Sequence, residues 1–357
     1  MEFHLKERRK TMPKILLIGS RQNKYDLSDT GGITILFELL ISEFKKKNIS
    51  FQIIDTLVAN NGGKLKTLFF TYYQILKKIR KVEHLSLHGA DNSFLLIAPI
   101  LLILAKVYNK TVSIRLFAGD FGDKYKQANP IKKYMTRLIL KHADTLFFEL
   151  KHLVTEFKQY NPNTYWFPNV RDEEIQQIKD RSFHKKFVYI GSINKEKGID
   201  ELCAAIKKLD KEITVDLYGP IKYKSEKYSL EYFQKLGINY KGALKTDEVQ
   251  KVMDFYDILI LPSHREGYPG VIIEAYALSM PVIATKLAGI LEICEHNKNA
   301  LLIDVKNTQQ LIEAIKSLDN AKYHILQKNA QEMFKHFNSR IQTELFLKRI
   351  NLKEDRK

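Results

Sequence analysis

The chain has 357 residues, 45% hydrophobic and 28% charged, a globular composition without disordered bias and long enough for two domains. Its formal net charge of +17 lies mostly in the first half, where residues 1–170 carry 27 Lys+Arg against 14 Asp+Glu, and residues 171–357 carry 31 against 27. The lysines are scattered and no helix-turn-helix, zinc-finger or RNP-like pattern occurs, which sets nucleic acid aside and leaves an anionic membrane, a phosphorylated substrate or plain solvated lysines. The two cysteines, Cys203 and Cys294, each lie in an apolar segment and read as small buried thiols of a reducing cytoplasm rather than a disulfide or metal pair.

The start, MEFHLKERRKTMPK, is charged and has no apolar stretch of export length. KILLIGS (14–20) predicts a first strand, and GGITILFELLISEFKKKN (31–48) a helix. FQIIDTL (51–57) predicts the next strand. KTLFFTYYQILKKIRK (66–81) spaces Leu68, Phe69, Tyr72, Tyr73, Ile75, Leu76 and Ile79 helically and ends in a basic cluster. Aromatic residues beside lysines suit a headgroup interface, which makes 66–81 a candidate for an anionic membrane surface; an ordinary amphipathic helix packing inward has the same pattern. HLSLHG (84–89), TVSIRLF (111–117) and TLFFEL (145–150) continue the strands. FLLIAPILLILA (94–105) is shorter than the ~20 residues a bilayer requires and reads as a buried helix.

NPNTYWFPNVRD (161–172), with two prolines and three asparagines, predicts an interdomain connection. A second series follows in KFVYIGS (186–192), ITVDLYG (213–219), INYKGAL (238–244), DILILPS (257–263), MPVIAT (280–285) and NALLID (299–304), and residues 307–347 read as helical throughout. Strands alternating with helices predict an α/β protein of two Rossmann-like doubly wound domains facing across a cleft. The expected boundaries are 1–168, 169–335 and a C-terminal helix, 336–357, returning toward the first domain. Ligands of such folds bind at the C-terminal ends of the strands.

Three loops carry chemistry there. Gly31 and Gly32 open a helix, where bare backbone amides can approach an anion, though no GxGxxG follows the first strand. YIGSINKEKGIDEL (189–202) places Lys197 on a polar loop before the next helix, where it can neutralise phosphates or simply be solvated. HREGYPGVIIEAYALSM (264–280) sets Glu266 on a loop and Glu274 about one turn into a helix. The amides at 270–272 suit a diphosphate, Glu274 can accept two ribose hydroxyls, and Glu266 points beyond the phosphates. A nucleotide-sugar has that anatomy. Taken singly, a first-turn acid and a loop acid need no ligand at all.

The run YDILILPSHREGYPGVIIEAYALSMPVIATKLAGILEI (256–293) resembles the donor-binding signature of the family 4 retaining glycosyltransferases of GT-B fold. The matches to its E-x7-E pattern and following glycine loop are Glu266, Gly267, Pro269, Glu274, Gly289 and Glu292. YIGSINKEKG resembles the family's Gly-Arg…Lys-Gly loop, LYGP (217–220) its strand-end glycine, Gly219, and PNV (168–170) its linker. RLFAGDFGDKYK (115–126) and KHADTLFFEL (141–150) look like the acceptor domain of polysaccharide- and lipopolysaccharide-assembling members. The likeness covers most of 14–335.

The resemblance implies transfer of a sugar from a nucleotide-diphosphate donor, UDP before GDP, to a glycan or lipid-linked acceptor, with retained anomeric configuration. It implies neither metal nor cofactor, the nucleotide-sugar being a substrate, and a cytoplasmic enzyme peripheral on the inner membrane face. Lys197 would neutralise the leaving diphosphate, with Gly32, Gly270 and Val271 around the phosphates or sugar. Glu274 would hold the ribose and Glu266 the donor sugar. Two positions depart from the pattern. Ser192 stands where the loop arginine is usual, which leaves Lys195 or Arg265 to supply charge. Leu116 to Asp120 lacks the usual first-domain histidine, so His88 and Asp120 become the polar candidates on the acceptor side. A GT-B epimerase or phosphorylase, or a catalytically idle nucleotide-sugar-binding protein, remains open as an alternative.

Overall fold

Short apolar runs with no polar residue alternating belong in a parallel sheet covered on both faces. The computed structural model describes residues 14–25, 32–117, 119–172, 182–210, 212–221, 228–245 and 248–351, without the side chains of 91–93. Gly31 and Ala118 therefore lie outside the described residues. Strands β1 (Ile15–Gly19), β2 (Phe51–Asp55), β3 (His84–Gly89), β4 (Thr111–Leu116), β5 (Thr145–Phe148) and β6 (Thr164–Trp166) pair in parallel in the order β2-β1-β3-β4-β5-β6. Strands β7 (Lys186–Ile190), β8 (Thr214–Tyr218), β9 (Asn239–Tyr240), β10 (Ile258–Leu261), β11 (Val282–Thr285) and β12 (Ala300–Ile303) form a second parallel sheet, β12-β11-β10-β7-β8-β9. Each order reverses direction once, at β1/β3 and at β7/β10, and the C-terminal ends there are where open α/β sheets take ligands.

Seven helices matter below: α1 (Gly32–Lys46), α2 (Lys64–Lys78), α3 (Asp91–Val107), α4 (Pro130–His142), α5 (Ile199–Ile206), α6 (Gly270–Ala277) and α7 (Ser339–Arg349). The chain divides into two units, one of Met1–Pro168 with Gln342–Lys357, the other of Asn169–Ile341. In the first, α3 packs on β3 and β4 with α2 and α4 beside it. Phe346 of α7 packs against Phe44, His88, Phe147 and Phe167 at centroid distances of 5.0 to 6.2 Å. Four apolar or aromatic partners seat that segment by area burial alone.

The sheet of the first unit also buries a polar row. His84 bonds Thr111 through Nδ1 and Ser113 through Nε2, Ser113 bonds Ser86, and Ser86 bonds His88 Nε2, each at 2.8 Å. Period-two alternation puts His84, Ser86 and His88 of β3 on one face with Thr111 and Ser113 of β4. A buried hydroxyl without a partner costs about 1–3 kcal/mol, so the row's hydroxyls bond one another and the ring nitrogens beside them, while His88 Nδ1 has no protein partner among the described residues.

Three expectations need correction. The 161–172 segment is not connection alone: Thr164–Trp166 forms β6, at the edge of the sheet, where the flanking prolines cost no ladder hydrogen bond. Residues 94–105 are helical but not wholly buried, because α3 turns Leu96, Ile100, Ile103 and Val107 to the outside. Residues 307–347 form separate helices, Thr308–Lys316, Asn320–Phe334 and then α7, broken at the Asp319 cap and at Asn338. Among the described residues no helix is long and apolar enough to cross a membrane.

Candidate functional site

The chain leaves β7 at Gly191 and makes one tight turn, Lys195–Lys197, before α5. Asn194 starts that turn by accepting the Lys197 N–H on Oδ1 at 3.0 Å. Gly198 ends it in the left-handed region, φ 72°, with the Pro262 carbonyl so near that a Cβ would lie 2.0 Å from its oxygen. Only glycine permits both conditions. The turn is thereby pressed against the end of β10, and Lys197 Nζ donates to Glu266 Oε1 at 2.6 Å. Ser263 Oγ donates to the same oxygen at 2.7 Å, while Thr285 at the end of β11 donates to the Ser263 carbonyl. Behind the Glu266 loop the Gly267 carbonyl runs into Gly289, where a Cβ would stand 1.6 Å from it.

Helix α6 begins four residues after Glu266. Ile272 N–H reaches back to the Pro269 carbonyl at 3.2 Å, while the N–H groups of Gly270 and Val271 have no protein acceptor among the described residues. These are the donors a helix start leaves open. Arg171 lies over them: its Nη2 would be 2.3 Å from a Cβ on Gly270. Its Nε and Nη2 donate to Glu274 Oε1 at 2.8 and 2.6 Å, and Nη1 donates to the Val170 carbonyl. Arg171 is fixed by its backbone, donating to Phe337 and accepting from Ser339.

The two carboxylates are thus built alike. Each uses Oε1 for a cation and has no partner on Oε2 among the described residues. Side-chain exposures of 29% and 11% for Lys197 and Glu266, and 18% for both Arg171 and Glu274, make these half-open pairs. Burial and the charge of Glu266 push the Tyr189 phenol upward, so it stays protonated and donates to the Ser192 carbonyl at 2.8 Å.

The other sequence-selected residues fall variously. Ser192 is half-buried and Arg265 is exposed. Gly219 follows β8, donating to Gly242 and accepting from the Tyr240 hydroxyl. Gly32 is the first residue of α1, with open space about its Cα. Asp120 is exposed and paired with Lys124 at 3.0 Å. His88 was the candidate for the acceptor cleft; it is 1% exposed inside β3, against Phe37 and Phe346. Burial first, then the charges of Arg115 and His84, hold its imidazole well below the usual histidine range. An imidazole so enclosed and neutral does not reach a substrate.

Arg171, Ser263 and Asn194 were not singled out from the sequence. Arg171 directly follows the PNV linker, a position that could have drawn notice; its partner is 103 residues away. His264 Nε2 also lies 3.0 Å from Glu201 Oε2, near enough for an ion pair, though neither atom is aligned for a hydrogen bond.

Residues 170–333, which contain all of this constellation, match the family of glycosyl transferases group 1. An uncharacterised glycosyltransferase of Methanocaldococcus jannaschii, MJ1178, is 26% identical over 332 residues, 86% of this chain and 91% of that protein. The N,N'-diacetylbacillosaminyl-diphospho-undecaprenol alpha-1,3-N-acetylgalactosaminyltransferase of Campylobacter jejuni is 26% identical over 308 residues, 78% and 79% of the two chains. The crystal structure of Anabaena Alr3699/HepE in complex with UDP matches with a TM-score of 0.68 at 15% identity, over 94% of this chain and 98% of that one. Two parallel six-stranded sheets of this kind are the GT-B fold. Residues 170–333 thus carry a glycosyl transferases group 1 domain.

Proposed function

We propose that the chain is a retaining glycosyltransferase moving a sugar from a UDP-sugar to a glycan or lipid-linked acceptor in surface polysaccharide assembly. The observation that carries this is the matched pair of half-open carboxylates, each held on one oxygen by a cation beside free helix-start amides. Lys197 and the amides of Gly270 and Val271 receive the diphosphate, whose charge grows as the bond to the sugar breaks. Charge fixed beforehand at that position stabilises the transition state more than the ground state. Glu274 accepts ribose hydroxyls on Oε2 while Arg171 keeps its other oxygen in place. Glu266, steadied by Ser263, meets the donor sugar near the reacting carbon. Lys197, Arg171 and the amides provide the positive field, so binding requires no divalent cation.

Neighbouring structures that hold UDP and UDP-glucose favour uridine. The Campylobacter relative, whose name specifies a diphospho-undecaprenol acceptor, supports a lipid-linked acceptor. A segment of 133 residues is also 36% identical to a putative teichuronic acid biosynthesis glycosyltransferase of Bacillus subtilis, which favours polysaccharide assembly. The basic first unit and the exposed Phe69 and Tyr73 of α2 support attachment to an anionic membrane.

Calorimetry with UDP and GDP in chelator tests this, on wild type and on Lys197→Ala and Glu274→Ala. UDP should bind, and each substitution should weaken it by about 1–3 kcal/mol, the scale of a lost charged hydrogen bond. If neither nucleotide binds, or if both variants bind as wild type does, the donor site is wrongly placed.

A further inference from the structure

Helices α2, α3 and α4 lie side by side on the first unit, and all three turn an apolar stripe outward. On α2 the stripe is Leu65, Phe69, Tyr73 and Leu76; on α3 it is Leu96, Ile100, Ile103 and Val107. Both run at steps of three and four residues, the spacing of one helix face. On α4, Ile131, Tyr134 and Met135 continue it. Val107 and Ile131 are 72% and 76% exposed, on helices whose other faces already pack inward. Adjacent stripes of this extent mark an interaction surface rather than scattered surface residues.

Between α3 and α4 the surface sinks into a groove of about 560 Å³, lined by Leu102, Ile103, Met135, Leu138 and Ile139. Its volume falls in the range of roughly 300–1,000 Å³ that small ligands occupy. Lys106 and Lys110 stand at its rim. His142 and Asp144 line this groove and also a larger space of about 810 Å³, which Lys141, Lys348 and Arg349 border. An apolar trough therefore runs into a basic chamber. Lys106, Lys110, Lys141 and Lys348 have no carboxylate partner among the described residues, and Arg349 stacks over Tyr165 at 4.2 Å. The single carboxylate in either lining, Asp144, accepts the Val112 N–H at 2.7 Å.

The position excludes a part in sugar transfer. His84 and Thr111, in the chamber, are the first residues of β3 and β4, and Asp144 and Thr145 stand at the start of β5. This is the N-terminal edge of the sheet, opposite the strand ends that take substrates.

We propose that the α3–α4 groove and its basic chamber are a lipid seat: one acyl chain of an anionic phospholipid lies along the groove, and its phosphate meets Lys106, Lys110 and Lys141. The outer stripes of α2, α3 and α4 then rest at the bilayer interface. Charge complementarity selects this occupant, since an apolar trough ending in unpaired lysines matches a chain ending in a phosphate. The seat rests on the membrane attachment proposed above, gives it a lipid class and a location, and is independent of the donor chemistry in the second unit.

The test uses the full chain. Co-sedimentation is measured with vesicles of equal parts phosphatidylglycerol and phosphatidylcholine and with phosphatidylcholine alone. Calorimetry is run with monomeric lyso-phosphatidylglycerol and with glycerol phosphate. The anionic vesicles and the lyso lipid should bind; phosphatidylcholine and the chainless phosphate should not. Exposed groove residues changed together, Ile103→Asp with Met135→Asp, should weaken lyso-lipid binding by about tenfold or more, since each buried methylene is worth about fourfold. Lys106→Glu with Lys110→Glu should cost about fivefold per charge. UDP binding and melting temperature, unchanged in both variants, show that the fold is intact.

Vesicle binding without lyso-lipid binding, or lyso-lipid binding indifferent to the groove variant, removes the seat and leaves plain adsorption. No binding to any vesicle removes the membrane reading as well. A lipid-free dimer that Ile103→Asp dissolves gives the face to a second copy of the chain and overturns the proposal.

Discussion

At the ends of β7 and β10 the second unit sets Lys197 against Glu266 and Arg171 against Glu274, ion pairs with contacts of 2.6 to 2.8 Å that solvent partly reaches. On β3 and β4 the first unit buries His84, Ser86, His88 and Ser113 in a continuous row of 2.8 Å hydrogen bonds. The groups differ in what they can exchange. A half-open ion pair loses modest Coulomb energy when a phosphate or a ribose hydroxyl takes over one partner, because solvent already screens it. A buried neutral row has no partner to lose without leaving an unsatisfied group. Where the first unit does bury charge, both groups resist it. Arg115, stacked 3.5 Å over Phe167, is pushed down to about 9, and Glu149 is pushed up to about 7, desolvation dominating in each. The paired site thus suits the ligand exchange proposed for it, and the buried row suits stability.

The largest blow to this contrast should come from Lys197→Ala, which removes the cation while keeping the fold. A drop in kcat/KM of about 10²–10³-fold is expected, the scale of a lost transition-state donor, read as UDP release from a UDP-sugar. A variant within threefold of wild type would strip Lys197 of that role. Gly289→Ala acts one step further back. Its Cβ would meet the Gly267 carbonyl at 1.6 Å, so the Glu266 loop must shift. A loss of about 1–3 kcal/mol in urea unfolding, the usual cost of overpacking, should accompany reduced turnover. Unchanged stability would mean the loop yields freely.

Arg171→Met keeps the length of the side chain and removes the charge from Glu274. UDP affinity should fall about tenfold or more, within the roughly 1.5–3 kcal/mol of a charged hydrogen bond. Arg171→Lys should recover little of it, because one ammonium cannot donate both from Nε and from Nη2 as a fork. Full recovery by lysine would reduce Arg171 to a point charge.

The contrast was half legible in the sequence. Glu266, Glu274, Gly270 and Lys197 lie where strand ends and glycine turns converge, and that order along the chain points to the site proposed for the donor. Arg171 was not, since what makes it matter is a contact across 103 residues, and no local period encodes it. His88 failed for the opposite reason. A histidine near a strand end has the same appearance whether it faces solvent or Phe37, Phe117 and Phe346, and the last of these arrives from α7. The strand β6 hid between Pro162 and Pro168, which mark a loop anywhere but at a sheet edge. The outward stripe of α3 was masked by an overall apolar composition, because a helix that is apolar all round carries no sign of which face is covered.

The smallest effect expected separates the two regions by pH. Burial holds His84 at about 3 and His88 well below the usual range, whereas an unfolded histidine titrates near 6.5. As pH falls below about 6.5, the unfolded chain takes up protons that the folded row does not, so stability drops, by up to about 1.4 kcal/mol per pH unit for each histidine. Glu149 opposes them. Its folded carboxyl, raised by burial to about 7, holds a proton that the unfolded one releases above its ordinary 4.5, so its contribution to stability grows as pH falls through that window. Two histidines against one glutamate leave a net slope of about one proton between roughly pH 6 and 5. Hydrogen exchange of the β3 and β4 amides, corrected for intrinsic pH dependence, should show protection falling at that rate. Glu149→Gln removes the opposing group and should steepen the fall toward two protons. A flat profile in wild type, or one that the substitution leaves alone, would mean that the histidines accept protons in place and that the row is not closed to charge.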